Sequence, residues 1–258
     1  MSVTSVKGIV LKYVNMNDND RLFTIFCPEL GKVSAMSKGI RSHKHKDFAA
    51  LQPFCYSEFV IDTSKGLGYI NSATVIETFY DIRSGVEKMS LASYVADLVA
   101  NMADEIMYDD EFFSFILNTM FMIAKSKDTE QRTVLDELLR LKAVFELKCV
   151  SVAGYMPQCD ICNVCGCNGD LEYFDIYEGC AYCKDCAESG AGYDTVKVNP
   201  GVIKMILFIC QSDYRSVFRF NASEENIKTV GDISEKYLIN KLELVSGALE
   251  YFKNIIAL

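Results

Sequence analysis

The sequence predicts an α+β protein, with a small five-stranded barrel at the N-terminus and a mainly helical region that carries an inserted four-cysteine finger. Three observations predict it. Short β-branched and aromatic runs, parted by turn residues, fill the first 80 residues. The apolar period then lengthens to helical spacing from about Asp81. Seven of the eleven cysteines crowd between Cys159 and Cys186. The expected division is residues 1–80 as a barrel domain and 81–258 as a helical domain, with the finger at about 158–190.

Gly8–Val14 and Arg21–Cys27 read as the first two strands. Pro28-Glu-Leu-Gly31 is a turn, since Pro presets φ and Gly accepts a left-handed conformation. Lys32–Lys38 alternates in side-chain character, as a half-buried strand does. Leu51–Asp62 and Tyr69–Thr78 supply two more strands, joined across Thr63–Gly68. Five strands in about 75 residues suit a closed barrel, and the OB-fold is the commonest such barrel with a binding face.

The helical part begins with Val86, Met89, Tyr94, Val95, Leu98 and Met102 on one face. Glu111–Lys125 and Thr129–Val150 give two more helices, the latter apolar on more than one side. Asn199-Pro200 is a start signal for Gly201–Cys210, with Asn as N-cap and Pro in the first helical position. Ser223–Lys253 is again helical, with a break expected near Gly231.

Composition narrows the function classes. The first residues lack the charged start and apolar core of a signal peptide, and Phe115–Ala124 and Val202–Cys210 are far shorter than the roughly 20 residues of a membrane span. A cytoplasmic location is expected, where eleven cysteines argue for metal ligation over disulfides. The net charge of −9 is unevenly spread. Residues 1–76 carry nine Lys/Arg against six Asp/Glu, so that segment is positive and the rest acidic.

Structural zinc takes four thiolate or imidazole donors at tetrahedral angles, and a Cys-x-x-Cys turn supplies two of them from one side. Cys162-x-x-Cys165 and Cys183-x-x-Cys186, 17 residues apart, have the spacing of a zinc ribbon. Cys159/Cys162 and Cys180/Cys183 repeat the same spacing, but Gly166 after the first pair and Gly179 before the second favour 162/165 and 183/186. Cys159, Cys167 and Cys180 are then expected to be non-ligands. Spare buried cysteines and a redox Cys-x-x-Cys are the competing readings; a redox pair stands alone at a helix start and is not doubled. The two histidines, His43 and His45, are over a hundred residues away, which argues against a zinc hydrolase.

Lys32, Lys38, Arg41, Lys44 and Lys46 occupy fifteen residues without an acid among them. Single-stranded nucleic acid is held by cations along a groove and by aromatic platforms, and the strands offer Tyr13, Phe23, Phe26, Phe54, Tyr56 and Tyr69. Arg21 on the preceding strand joins this expected DNA-binding set. Most barrel aromatics are core and most charge runs are solvated loops, so the residues alone leave the DNA reading and the bland one level.

Several segments together resemble the RecO family of bacterial recombination mediators. They are Lys7-Gly-Ile-Val-Leu11, Arg21-Leu-Phe-Thr-Ile-Phe26, Leu30-Gly31, Lys38-Gly-Ile-Arg41, Leu51-Gln-Pro-Phe54, Gly154-Tyr-Met-Pro157, Cys162-x-x-Cys165-Gly166 and Cys183-x-x-Cys186, in the family's order. The resemblance covers nearly the whole chain. It implies an OB-fold followed by a zinc-bearing helical domain, and Cys162, Cys165, Cys183 and Cys186 as the Zn2+ ligands. It also implies no catalysis, binding of single- and double-stranded DNA, strand annealing, and work with a RecR-like partner and single-strand-binding protein to load a RecA-type recombinase. The alternatives are a zinc-dependent or thiol-based enzyme and a zinc-ribbon module of transcription. The chain lacks a Walker-type glycine loop, a nucleophile elbow and a metal-ligand His pair.

Overall fold

A computed structural model describes residues 3–63, 68–104, 106, 108–129 and 132–257. Lys65, and residues 64–67 of the turn expected at Thr63–Gly68, lie outside the described residues.

Five strands, β1 (Val3–Asn15), β2 (Arg21–Cys27), β3 (Gly31–Ser37), β4 (Tyr56–Asp62) and β5 (Gly68–Glu77), close a barrel in the order β1-β2-β3-β5-β4. All neighbours are antiparallel except β3 and β5, whose parallel pairing closes the ring as an OB-fold does. Alternation explains the strands: in β2, Phe23 and Ile25 are fully buried while Leu22 before them and Thr24 between them are half-buried. The barrel interior gathers Val6, Val10, Phe23, Ile25, Phe59 and Ile61. The Pro28–Leu30 turn leads to Gly31 at φ 64°, a left-handed conformation that glycine adopts without a Cβ clash.

Leu51–Cys55, expected to open the fourth strand, is instead a chain of turns. Gln52 N donates to the Ala49 carbonyl and Cys55 N to that of Gln52. Phe54 sits at φ 68°, and Pro53 has no N–H to give a ladder. Leu51 is buried in the barrel from this turn, so its apolarity marked the core without marking a strand.

A 3-10 turn (Tyr80–Ser84) leads into α1 (Val86–Asn101) and α2 (Asp110–Lys125). Asp110 and Glu111 at the start of α2 and Lys125 at its end complement the helix dipole. Phe113 of α2 meets Phe26 and Tyr56 of the barrel with ring centroids 6.0 and 5.7 Å apart. The chain then forms α3 (Val134–Val152), β6 (Leu171–Asp175), β7 (Cys180–Cys183), α4 (Lys184–Glu188), β8 (Thr195–Lys197), α5 (Pro200–Gln211), α6 (Glu224–Leu242) and α7 (Gly247–Ile256). It divides into two compact units: residues 1–125 with 246–258, and residues 126–245. In the first unit α7 returns to pack along α1, and its N-cap Ser246 donates to Asp97 at 2.7 Å.

In the second unit α3 packs on α5 and α6. A capping box of Thr133 and Asp136 starts α3, and Asn199 caps α5, accepting from Gly201 N and Val202 N. The break expected at Gly231 is not there: α6 runs through it and ends at Glu243, which takes φ 48°. Ile227, Val230, Ile233, Tyr237 and Leu238 bury one face of α6, and that burial outweighs the cost of about 1 kcal/mol for a helical glycine.

Candidate nucleic-acid interface and metal centre

The cationic residues expected to meet DNA all lie on the barrel or its β3–β4 connection. That connection is held by successive tight turns, Ser42 N to the Gly39 carbonyl, His45 N to that of Ser42 and Phe48 N to that of His45. The turns leave Lys38, Arg41, Lys44 and Lys46 exposed. Arg21 pairs with Ser37 across β2 and β3, so it lies beside the start of the same loop. Its guanidinium rests 4.1 Å from the Tyr13 ring centroid, and Nε donates to Asn15 Oδ1 at 3.0 Å. Arg41 donates to the Asn17 carbonyl at 2.9 Å, which ties the β3–β4 loop to the β1–β2 loop. Asp20 strengthens that tie by accepting from Gly39 N at 2.8 Å. Hydrogen bonds from Asn17 and from Gly39 N hold its carboxyl below the usual carboxylate value.

Lys38 and Lys46 flank a cleft of about 370 Å³ lined also by His45, Asn71 and Tyr69, with Asp62 on one wall. Lys38 Nζ stands 5.4 Å from the Tyr69 ring centroid. Lys46 Nζ reaches the Asn71 carbonyl at 3.5 Å. Lys32 is apart from this group. It lies at the opposite end of β3, about 20 Å away at 3.3 Å per residue, and donates to the Ala100 carbonyl at 3.0 Å. Five of the six predicted cations therefore share one end of the barrel, and Tyr69 adds a ring among them.

The finger is built by β6, β7 and β8 in the order β7-β6-β8, with α4 after β7. Asp175, fully buried at the end of β6, organises it. Its carboxylate accepts from Tyr177 N (2.8 Å), Glu178 N (2.9 Å), Tyr193 N (2.5 Å) and Asp194 N (3.4 Å). Burial opposes its ionisation, but these amides prevail and hold its carboxyl below the ordinary value.

The first knuckle is closed by Gly166 N donating to the Cys162 carbonyl at 2.9 Å and Cys162 N to that of Cys167 at 2.8 Å. Gly166 takes φ 69°, which a side chain would strain. Burial disfavours the Cys162 thiolate, yet backbone amides of Cys165, Cys183 and Val164 aimed at the sulfur bring its pKa down to about 6. That is the state a metal requires of a thiol ligand at neutral pH.

The sulfurs of Cys162, Cys165, Cys167 and Cys183 all lie within 4.8 Å of one another. Cys165 and Cys183 are 3.8 Å apart. A tetrahedron with zinc–sulfur bonds of about 2.3 Å has edges of about 3.8 Å, whereas a disulfide needs about 2.05 Å. The spacing fits a four-thiolate metal site. Cys186, on α4, is not among these four. The structure thus brings three of the four sequence-predicted ligands, Cys162, Cys165 and Cys183, into one cluster and places Cys167 with them. Cys159 and Cys180 are buried elsewhere, the Cys180 thiol against the Tyr182 hydroxyl at 3.3 Å. Burial pushes both thiols up.

A closed five-strand barrel with a cationic end, followed by helices bearing an all-thiol finger, defines an OB-fold protein with a finger whose cysteines could hold a metal ion. Residues 1–79 match the family model described as Recombination protein O N terminal, and residues 83–247 match Recombination protein O C terminal. The chain is similar to "DNA repair protein RecO" of Acetivibrio thermocellus, 32% identical over 256 residues that cover 99% of this chain and 98% of the relative. It is 30% identical to the protein of that name from Caldicellulosiruptor saccharolyticus, over 99% of this chain and 100% of the relative. With that from Clostridium novyi it shares 26% identity over 98% and 94%. The chain belongs to the recombination protein O family, the DNA-repair recombination mediators. None of the helices among the described residues is long and apolar enough to cross a membrane.

Proposed function

We propose that the chain is a non-enzymatic DNA-binding mediator of the cytoplasm, working at the nucleoid. It anneals complementary strands and, with a RecR-like partner, helps a RecA-type recombinase onto single-stranded DNA coated by single-strand-binding protein. The observation that carries the reading is the cluster of Arg21, Lys38, Arg41, Lys44 and Lys46 around Tyr69 at one end of the barrel. Lysine and arginine on phosphate supply affinity without sequence preference, and Tyr69 supplies a face on which a base stacks. Binding by backbone and stacking suits annealing, because it leaves the pairing edges of the bases open to a second strand. Both single- and double-stranded DNA carry the phosphates this surface needs. Residues 1–80 act as the nucleic-acid domain, and 81–258 as the helical domain that carries the finger and meets protein partners.

The finger holds one Zn2+ through Cys162, Cys165, Cys183 and Cys186, as a scaffold. Four thiolates close the coordination sphere, whereas catalytic zinc keeps an open position and draws on His or carboxylate donors. This donor set supports a structural metal over a zinc enzyme.

The test is annealing of complementary oligonucleotides pre-coated with single-strand-binding protein, followed by fluorescence energy transfer. The expected result is annealing faster than the spontaneous rate, at a rate set by protein and not limited by turnover of any cofactor. No acceleration on coated or on naked strands would contradict the reading.

A further inference from the structure

The outer face of the barrel carries an apolar row beside its cations. Residues paired directly across neighbouring strands put their side chains on one face of the sheet. Val14 of β1 pairs with Leu22 of β2, Leu22 with Met36 of β3, and Met36 with Tyr69 of β5. Their chain neighbours Phe23, Ala35 and Ile70 fill the barrel, and Tyr13 packs against that core. The four therefore face outward. None of them is buried, and Val14 is 58% exposed. Outward positions of an antiparallel sheet are ordinarily polar. The next row on the same face obeys that rule, with Thr24 of β2 opposite Ser34 of β3.

At one end the row enters the cationic cleft, which Met36 and Tyr69 line together with Lys38 and Lys46. At the other, Val14 precedes Asn15, whose side chain accepts from Arg21. Beyond Tyr69 the pairing passes to Asp62 of β4, an acid that ends the row. Three interstrand spacings make the row about 14 Å long, the rise of about four bases at roughly 3.4 Å each. Val14, Leu22 and Met36 carry no donor with which to read a base edge. What they can cover is the flat, apolar face of any base. A duplex hides those faces in its stack and shows only edges and phosphates.

We propose that the row of Val14, Leu22, Met36 and Tyr69 makes this site prefer single-stranded DNA to duplex, and so releases the annealed product. This rests on the DNA reading given under Proposed function and names which form of DNA that site selects. The cations hold the phosphates of both forms. The row adds affinity only where base faces are free to lie on it. When a complementary strand pairs, the bases stack on their neighbours in the duplex and leave the row. The phosphate contacts alone remain, and the product is held more weakly than the strand that was captured.

The experiment measures, by fluorescence anisotropy, the affinity of the full chain for an oligonucleotide as a single strand and as a blunt duplex, and repeats both with Leu22→Thr/Met36→Thr. Threonine keeps the strand propensity of these positions and removes their apolar bulk. The expected result is a single-strand affinity lower by about fivefold or more for each base lifted off the row. Duplex affinity, and the salt dependence of both, should stay as they were, and the duplex thereby controls for folding. An equal fall on both DNAs, or an unchanged single-strand affinity, would overturn the proposal. Val14→Thr changes a mostly exposed position and should weaken the single strand alone; unchanged single-strand binding in that variant would also overturn it. Arg41→Ala/Lys44→Ala probes the underlying DNA reading instead, and should weaken both DNAs and flatten their salt dependence. No effect of that variant on either DNA would remove the reading, a failure distinct from that of the row.

Discussion

Single residues carry the chemistry, and their legibility in the sequence varied with how local the cause is. The approach of Cys162 and Cys165 was visible because a Cys-x-x-Cys turn brings two sulfurs to one side by its own geometry. Cys167 was not visible, since its approach depends on the path the chain takes through Gly166 and on a second hairpin far along the sequence. Asp175 was missed for the same reason: nothing in Leu171–Asp175 says that four amides from two later loops will converge on that carboxylate. Two predictions belong here. Cys165→Ser or Cys183→Ser should remove the metal and disorder residues 158–190, read as metal content by atomic emission and as protease sensitivity, because structural zinc contributes on the order of 10 kcal/mol to folding a finger. A Cys165→Ser protein that keeps its metal while Cys159→Ser loses it would contradict the assignment. Asp175 has a folded-state pKa below its unfolded value. Its contribution to stability is therefore fully present above the unfolded value, near 4, and is lost as pH falls through the lower folded one. Asp175→Asn should weaken this acid-side dependence of unfolding measured by hydrogen exchange across the finger. An unchanged pH profile would mean that the amides do not select the ionised form.

Elements were read best where one face meets one core. Alternation in β3, the β-branched and aromatic run of β2 and the cap at Asn199 placed those strands and α5 to within a residue or two. Leu51–Cys55 and Gly231 depart from the sequence expectation because a buried apolar run need not be a strand and a helical glycine need not be a stop; tertiary packing overrides both signals. A Cβ at Gly231 would meet no atom within 4 Å, and its φ is not positive. Gly231→Ala should accordingly stabilise the second unit by up to about 1 kcal/mol, with a raised melting temperature. A lowered one would show that the helix needs the glycine. A second prediction at this scale concerns α3, whose buried face is not purely apolar. Lys142 lies 2.9 Å from both Glu146 and Glu235, and Ser234 donates to Glu146 at 2.6 Å. Burial opposes the charge on Lys142, but Glu146 and Glu235 overcome it and keep its pKa above the usual lysine value. Lys142→Met leaves Glu146 buried without its cation, and should cost about 3–5 kcal/mol in denaturant unfolding. A loss below about 1 kcal/mol would mean that the carboxylate takes up a proton or finds water.

At the scale of the whole molecule the turnover from strands to helices near residue 80 could be read, because the apolar period changes there. That α1, α2 and the distant α7 join the barrel in one compact unit could not: no local signal in Ser246–Ile256 says which face elsewhere in the chain it will cover. The charge asymmetry was legible and has a physical consequence. The positive N-terminal third concentrates cations at the end of the barrel where Arg21, Lys38, Arg41, Lys44 and Lys46 meet, while the rest of the chain is acidic. Phosphate contact should be confined to that end. Tyr69, beside Lys38 in the same cleft, should add stacking, so Tyr69→Ala is expected to weaken single-strand binding by about 1–3 kcal/mol per base stacked.

The most direct test is a fluorescence-anisotropy titration of single-stranded oligonucleotides of several sequences at a series of salt concentrations, comparing the unmodified chain with Arg41→Ala/Lys44→Ala. If the cationic end of the barrel holds the phosphates, the double variant binds every sequence more weakly by a similar factor. Its plot of log affinity against log salt then flattens by about one unit for each cation removed. Unchanged affinity and slope in the double variant would contradict the account and place DNA on another surface, along Lys7 and Lys12 on β1.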